Sequence, residues 1–219
     1  MFDDPWQMPG LIFTRRLYVV PLNAAFLAAS LDGDRDTAEK ILGATIPEEW
    51  FDEPARIGRR LEQMQADPGL EVWLSRAIVW REKPPISGNP PFLDTPAPED
   101  RLVMVGQIGF HSWPDPPYLA DIAPGGVEIG YVVFSPYRRR GFAREACEAL
   151  IEWAFLMEEI NRFVLSISPA NIASTRLALS MGFKVVGSQI DEEDGAEDIF
   201  VLDRTPRHLL PQPPATMIE

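Results

Sequence analysis

Three consecutive arginines, Arg138, Arg139 and Arg140, stand directly before Gly141, Phe142 and Ala143 in a chain of net charge -13. With 20 Lys and Arg against 33 Asp and Glu, a basic triplet marks a local task that the bulk charge does not set. It lies between an apolar run, VEIGYVVF at 127–134, and a helical pattern at 141–157, GFAREACEALIEWAFLM. That order predicts strand, tight turn, loop and helix. A helix N-terminus offers N–H groups without intrahelical partners and the positive end of the macrodipole, both suited to a diphosphate. Gly141 has no Cβ, so phosphate oxygens can approach its backbone, and Ala143 is nearly as small. The plainer reading is an exposed basic turn with Gly for conformation. The run lacks the Gly-Lys-Ser/Thr ending of an NTP loop and the three spaced glycines of a dinucleotide fold.

Other residues with chemical capacity are few. Glu128 interrupts the apolar strand and points to the same face as Gly130. A carboxylate in a low-dielectric cleft is expected to have a raised pKa, as a general base requires; the alternative is a Glu at an exposed strand start. Asn171 opens a second helical pattern, 170–181, and either hydrogen-bonds a ligand or caps that helix, with Ser174 completing the cap. His111, at a strand end beside Ser112 and Trp113, lines a pocket or makes a structural hydrogen bond. His208 carries no evident chemistry. Cys147 is the one cysteine, so an intramolecular disulfide and a cysteine-based zinc site are excluded; it reads as a small buried hydrophobe. No metal site is expected.

These residues need a scaffold. At 219 residues with 46% hydrophobic content, the chain suits one α/β domain with its own core. We expect an arm at 1–10, a single domain at 11–205 and a Pro-rich tail at 206–219. Within the domain, 11–22 predicts a first strand, 23–42 helical stretches and 54–64 a helix beginning at Pro54. Strands are expected at 71–80 and 101–111, separated by a Pro-rich loop at 83–100. Beyond the arginine loop come a strand at 163–168, a helix closed by Gly182, and an antiparallel pair at 184–189 and 198–203 around an acidic loop. Together these predict one mixed sheet. The net charge disfavours nucleic acid and favours cationic partners. No apolar run reaches the roughly 18 residues of a membrane span. The start lacks a signal-peptide pattern, so the cytoplasm is expected.

Arg138-x-x-Gly141-x-Ala143 resembles the Gln/Arg-x-x-Gly-x-Gly/Ala signature of the GNAT (GCN5-related) N-acetyltransferase superfamily. Glu128-Ile129-Gly130-Tyr131 before the loop, Arg144-Glu145-Ala146 after it, and Asn171-x-x-Ser174 with Gly182-Phe183 agree with that resemblance. Thr14-Arg15-Arg16-Leu17 and the ending from Glu197 to Arg204 are similar to the branch containing the ribosomal-protein alanine acetyltransferases. The resemblance runs from 11 to 204 and is most specific from 127 to 183.

It implies a mixed, mostly antiparallel central sheet with splayed middle strands and flanking helices. It implies acetyl-CoA as cosubstrate and an N-acetyltransferase acting on a primary amine, which is a protein N-terminus, a small amine or an aminoglycoside-like cation. The alternative is a weakly active or inactive acetyl-CoA-binding sensor or scaffold. Tyr131, Val132 and Val133 are implied to meet the pantetheine arm by main-chain contact, with the Val133 N–H on the thioester oxygen. Backbone N–H groups of Arg139, Arg140, Gly141, Phe142 and Ala143 take the diphosphate, with Arg138 and Arg144 flanking and Asn171 near the pantetheine. Direct attack needs a base and an acid. Glu128 is the candidate base. Ala178 stands where many members place the acid, a Tyr seven positions after the Asn; Ser174 is the candidate substitute, with Ser180, Tyr131, Tyr137 or water as alternatives. Trp50 and Phe51 are candidate walls of the acceptor pocket, with core or edge packing as the alternative. A homodimer is possible.

Overall fold

The computed structural model describes residues 6, 8–82, 100–157, 160–191 and 195–205. Most of the Pro-rich loop, part of the acidic loop and the tail from Pro206 lie outside the described residues.

Among the described residues, eight strands form one sheet in the spatial order β1-β2-β3-β4-β5-β6-β8-β7. They are β1 (Ile12–Phe13), β2 (Leu17–Pro21), β3 (Ser75–Arg81), β4 (Leu102–Phe110), β5 (Val127–Val133), β6 (Arg162–Ile167), β7 (Lys184–Asp191) and β8 (Gly195–Asp203). Every neighbouring pair is antiparallel except β5 with β6. This is the mixed, mostly antiparallel sheet expected from the sequence. Among the described residues, five α-helices flank it: α1 (Ala24–Leu31), α2 (Arg35–Leu42), α3 (Pro54–Ala66), α4 (Phe142–Met157) and α5 (Ile172–Ser180).

Local chemistry sets the helix starts. Asn23 Oδ1 accepts from Phe26 N at 2.8 Å and Asp34 Oδ1 from Thr37 N at 3.1 Å, each satisfying a donor that the first turn leaves open. Pro54 sits in the first turn of α3, where its missing N–H costs nothing. On α4, Ala146, Cys147, Leu150, Ile151 and Ala154 recur at helical spacing and are all buried. The central strands β3 and β4 are buried along most of their length. Each aliphatic side chain so enclosed contributes about 1.5–3 kcal/mol.

Two expectations need correction. The first strand, expected to run unbroken over 11–22, is divided into β1 and β2, which pair with each other. Thr14 Oγ1 accepts from Leu17 N at 2.8 Å and turns the chain between them. Trp50 is not a pocket wall: it is 1% exposed, packs on Phe26, and its Nε1 donates to Ser30 Oγ at 3.0 Å. Phe51 is half-buried beneath the Arg35 guanidinium.

The sheet's faces follow from register. Glu128, Gly130 and Val132 share a face with Gln107 and Gly109 opposite them on β4. Helix α3 lies over that face, with Arg60 Nη1 reaching the His111 carbonyl at 3.1 Å. Tyr131 points to the other face, towards Cys147 on α4 and Ser174 on α5.

Candidate active site

The parallel ladder between β5 and β6 is short. It pairs only Val127 with Phe163 and Glu128 with Val164. From Ile129 onward β5 is bonded on its β4 side alone, so the middle strands splay. His111 N donates to the Glu128 carbonyl at 3.0 Å, and Phe134 N to the Val105 carbonyl at 2.9 Å. Even-numbered residues of β5 therefore turn their backbone to β4, and odd-numbered ones turn it to the gap. Tyr131 and Val133 present their N–H and C=O groups to the opening. The Val132 backbone faces Gln107 on β4 instead.

At the C-terminal end of this gap the chain makes one short turn and enters α4. Gly141 has φ +82° and Arg139 φ +64°, so the backbone alternates its twist and directs successive N–H groups to one side. Gly at 141 suits that conformation because a side chain there would be strained. Among the described residues, the N–H groups of 139–144 have no acceptor outside the helix ladder. A concave row of free donors at a helix start is a place for an anion. Phe142 adds only its N–H, since its ring is buried beside Trp80 and under the Arg16 guanidinium.

The arginines divide their work. Arg138 Nε donates to the Val133 carbonyl at 2.8 Å, and its Nη2 lies 3.5 Å from Glu49. The Arg140 guanidinium rests near Trp80 and Tyr137. Arg144 pairs with Glu148 at 2.8 Å and reaches Ser180. Arg139 is exposed, with no hydrogen bond or ion pair among the described residues.

One support of the loop escaped sequence reasoning. Glu145, in the first turn of α4, accepts from Thr14 Oγ1 at 2.6 Å, Arg16 N at 2.9 Å and Arg16 Nε at 2.7 Å. Arg16 Nη1 donates to the Arg140 carbonyl at 3.0 Å. The turn between β1 and β2 thus braces the arginine loop. The signal was present in Thr14-Arg15-Arg16 and Arg144-Glu145, but nothing in one sequence pairs positions 129 residues apart.

On the α3 face stands a second cluster. Glu128 is 5% exposed, not an exposed strand start. Its Oε2 accepts from Tyr118 Oη at 2.8 Å and lies 3.4 Å from His111 Nδ1. Burial alone would raise the Glu128 carboxyl. Hydrogen bonding and charge from His111, with the hydroxyls of Ser166 and Tyr118, outweigh it, and the pKa is lowered. The expectation of a raised pKa is overturned, because the carboxylate was expected in a cleft without donors. Tyr118 is raised in turn, by burial first and then by the Glu128 carboxylate.

With Nδ1 turned to Glu128, the His111 Nε2 is left facing the strand. A Cβ on Gly130 would stand 2.2 Å from Nε2, so the imidazole occupies the space that this glycine leaves. The ring is 40% exposed and borders a cavity of about 270 Å³ with Arg56, Arg60, Gln107 and the backbone of 130–132. His111 and Glu128 therefore form a carboxylate–imidazole pair at the mouth of the gap.

Behind the gap, the Tyr131 hydroxyl is buried without a hydrogen bond of normal geometry, and Ser174 is the hydroxyl beside it. Burial pushes the phenol up to about 12. Ala178 is fully buried. Asn171 caps α5, its Oδ1 accepting from Ser174 N at 3.1 Å. Among the described residues, no group of three or more His, Cys, Asp or Glu side chains is placed to hold a metal ion, and no helix is long and apolar enough to cross a membrane.

A splayed strand edge, a loop of free donors at a helix start and a carboxylate–imidazole pair lie together along one cleft. Residues 24–184 match the family described as the acetyltransferase (GNAT) domain, and the chain belongs to that family. A Bacillus subtilis relative described as uncharacterized N-acetyltransferase YjdG is 31% identical over 85 residues, covering 39% of this chain and 46% of that protein. The match thus spans about half the length of that relative. A GnaT-family acetyltransferase structure from Bordetella pertussis superposes with TM-score 0.56 at 20% identity, covering 88% of this chain and 98% of that one. The microcin C7 self-immunity acetyltransferase MccE, solved with acetyl-CoA and AMP, superposes with TM-score 0.54 at 14% identity, over 92% and 98% of the two chains. The ribosomal-protein-S5-alanine acetyltransferase of Vibrio fischeri gives 0.51 at 16%, over 92% and 99%. At these identities the structures show the shared fold alone.

Proposed function

We propose that the chain is an acetyl-CoA-dependent N-acetyltransferase acting on a primary amine by direct attack on the thioester. The observation that carries this is the His111–Glu128 pair set at the edge of the β5–β6 gap. Acetyl-CoA supplies the acyl group in activated form. The donors of 139–144 suit its diphosphate, and the backbone edges of Tyr131 and Val133 suit the amides of its pantetheine arm. The side chain of Arg138, held on the Val133 carbonyl, joins these two parts of the cleft.

His111 Nε2 takes the proton from the attacking amine, and Glu128 holds the ring with Nδ1–H directed at its carboxylate and stabilises the imidazolium that results. Glu128 is thus the positioning carboxylate, and the base sits one hydrogen bond further on. The Tyr131 hydroxyl, with Ser174 beside it, stands ready to donate a proton to the departing thiolate. A phenol from β5 on this face takes over the role left open by Ala178. Asn171 serves first as the cap of α5.

Calorimetry with acetyl-CoA and a free-thiol release assay across a panel of amines test the reading. Binding with turnover of at least one amine is expected. Binding without turnover of any amine supports a sensor or scaffold, and no binding removes both readings.

A further inference from the structure

We propose that the acceptor amine carries its own carboxylate, held by Arg60 and Arg56 on α3, so that the acceptor is a small amino-acid-like molecule and not a polyamine. The inference rests on the acetyltransferase reading above and deepens it. The cavity of about 270 Å³ beside His111 receives both side chains. They stand four positions apart, which sets them on one face of the helix.

Among the described residues, neither forms an ion pair with a buried carboxylate, although the Glu128 charge partly offsets the desolvation of Arg60. Arg60 Nη1 donates to Gln63 Oε1 at 2.8 Å and to the His111 carbonyl at 3.1 Å, both neutral oxygens. Among the described residues, no carboxylate lies within 4 Å of Arg60. Arg56 Nε lies 2.7 Å from the Gln107 side-chain amide, whose oxygen accepts there once the amide is oriented to satisfy both groups, and its carboxylate neighbour is Glu53 at 3.4 Å, whose side chain is 57% exposed. Glu128 is already engaged by Tyr118 and His111. Desolvation lowers the pKa of both arginines.

Two half-buried guanidinium groups, one with only an exposed carboxylate beside it and one with none within 4 Å among the described residues, favour an anion that completes the site. They do so in a chain of net charge -13, so the site reverses the sign of the whole. Chain-wide acidity favours a cationic acceptor; the cavity favours an anionic group. Guanidinium forks suit carboxylates in particular. A cavity of this size takes a small molecule. In a peptide N-terminus the carbonyl next to the amine is an amide, which offers these arginines no charge.

The test uses the full chain with saturating acetyl-CoA and matched acceptors: alanine against alaninamide, phenylalanine against phenylalaninamide, and spermidine. The free acids are expected to be preferred in kcat/KM by about 10-fold or more, the range of a charge-assisted hydrogen bond. The amides have the less basic amines, so intrinsic nucleophile availability works against this preference. Arg60→Gln should collapse the acid-to-amide ratio, and Arg60→Lys should restore part of it. Equal rates for acid and amide, or a preference for spermidine, overturn the proposal. A separate readout is calorimetry of N-acetylalanine and N-acetylalaninamide with the CoA-loaded protein. Selective binding of the acid, lost in Arg60→Gln, supports the carboxylate site even if no turnover is seen, in which case the transferase reading alone fails. Equal binding, or binding of neither, overturns it.

Discussion

Replacing Glu128 by Gln tests whether this carboxylate acts as the base or through His111. The substitution keeps size, removes the charge that faces His111 Nδ1 at 3.4 Å, and puts either an oxygen or an N–H2 at the single Oε2 position that Tyr118 and His111 share. An amide N–H2 offers that nitrogen a donor, which favours the tautomer with its proton on Nε2, the nitrogen needed to accept from the amine. The cost is bounded above by the contribution of a general base, about 10²–10⁴ in rate. Because the imidazole remains, a loss of roughly 100-fold in kcat is expected, equivalent to about 2.7 kcal/mol. Acetyl-CoA affinity should hold, since the loop at 139–144 makes no contact with Glu128. Stability gives a second readout. The Glu128 pKa is lowered from its ordinary 4.5, so its stabilising contribution is present above that value and is lost as pH falls through the folded pKa. Wild type should thus exceed Glu128→Gln in urea resistance near neutrality, by about 1–2 kcal/mol, and the difference should shrink in acid. Thiol release with acetyl-CoA calorimetry and urea titrations at several pH values decide the matter. An undiminished kcat would falsify the pairing of Glu128 with the base, and a loss confined to acetyl-CoA affinity would move Glu128 to the wrong half of the cleft.

His111→Gln should reduce kcat by about 10²–10⁴ while leaving the acetyl-CoA Kd in place; the same assays check it, and a wild-type rate removes His111 as base. Gly130→Ala should displace the imidazole, because its Cβ would meet Nε2 at 2.2 Å; the expected result is a kcat defect with retained fold, read by thiol release beside circular dichroism. Gly141→Val places a β-branched residue at φ +82°, a strain of about 1–3 kcal/mol, and should raise the acetyl-CoA Kd about 10-fold or more; unchanged affinity refutes the loop assignment. Glu145→Gln weakens the brace to Arg16, whose side chain is 39% exposed. With solvent screening the expected stability loss is about 1 kcal/mol, and a weaker acetyl-CoA affinity should accompany it in calorimetry.

Much of the fold was legible because it is written in local pattern. The apolar run at 127–134, the helical spacing of Ala146, Leu150 and Ala154, and the Pro54 start each specify an element from neighbouring residues. Register across the sheet is a different matter. Nothing in one sequence says that Glu128 stands opposite His111, so an isolated carboxylate suggested a raised pKa, whereas the folded one gathers donors from β4, β6 and the turn at Tyr118. The same holds for Thr14 and Arg16: as residues of a strand they have no task, and as ligands of Glu145 they end the strand and brace the loop.

The cleft therefore divides by the kind of group that does the work. The side proposed for the cosubstrate is built largely from main chain: an unpaired strand edge and a row of helix-start N–H groups. Main-chain sites leave a clear trace in sequence, because they demand particular backbone shapes, and Gly141 is the residue that permits one. The side proposed for the acceptor is built from side chains on α3, at the end of β4 and on the turn before β5, any of which can change without altering the backbone. Gly130 joins the two sides, since its missing Cβ belongs to the strand that borders the gap while the space it leaves is filled by the imidazole. A motif of strand residues, Glu128-Ile129-Gly130-Tyr131, is then a packing rule with a chemical purpose. Glu128 faces one ring nitrogen, Gly130 leaves room for the other, and Tyr131 sends its hydroxyl to the opposite face, the place proposed for the departing thiolate.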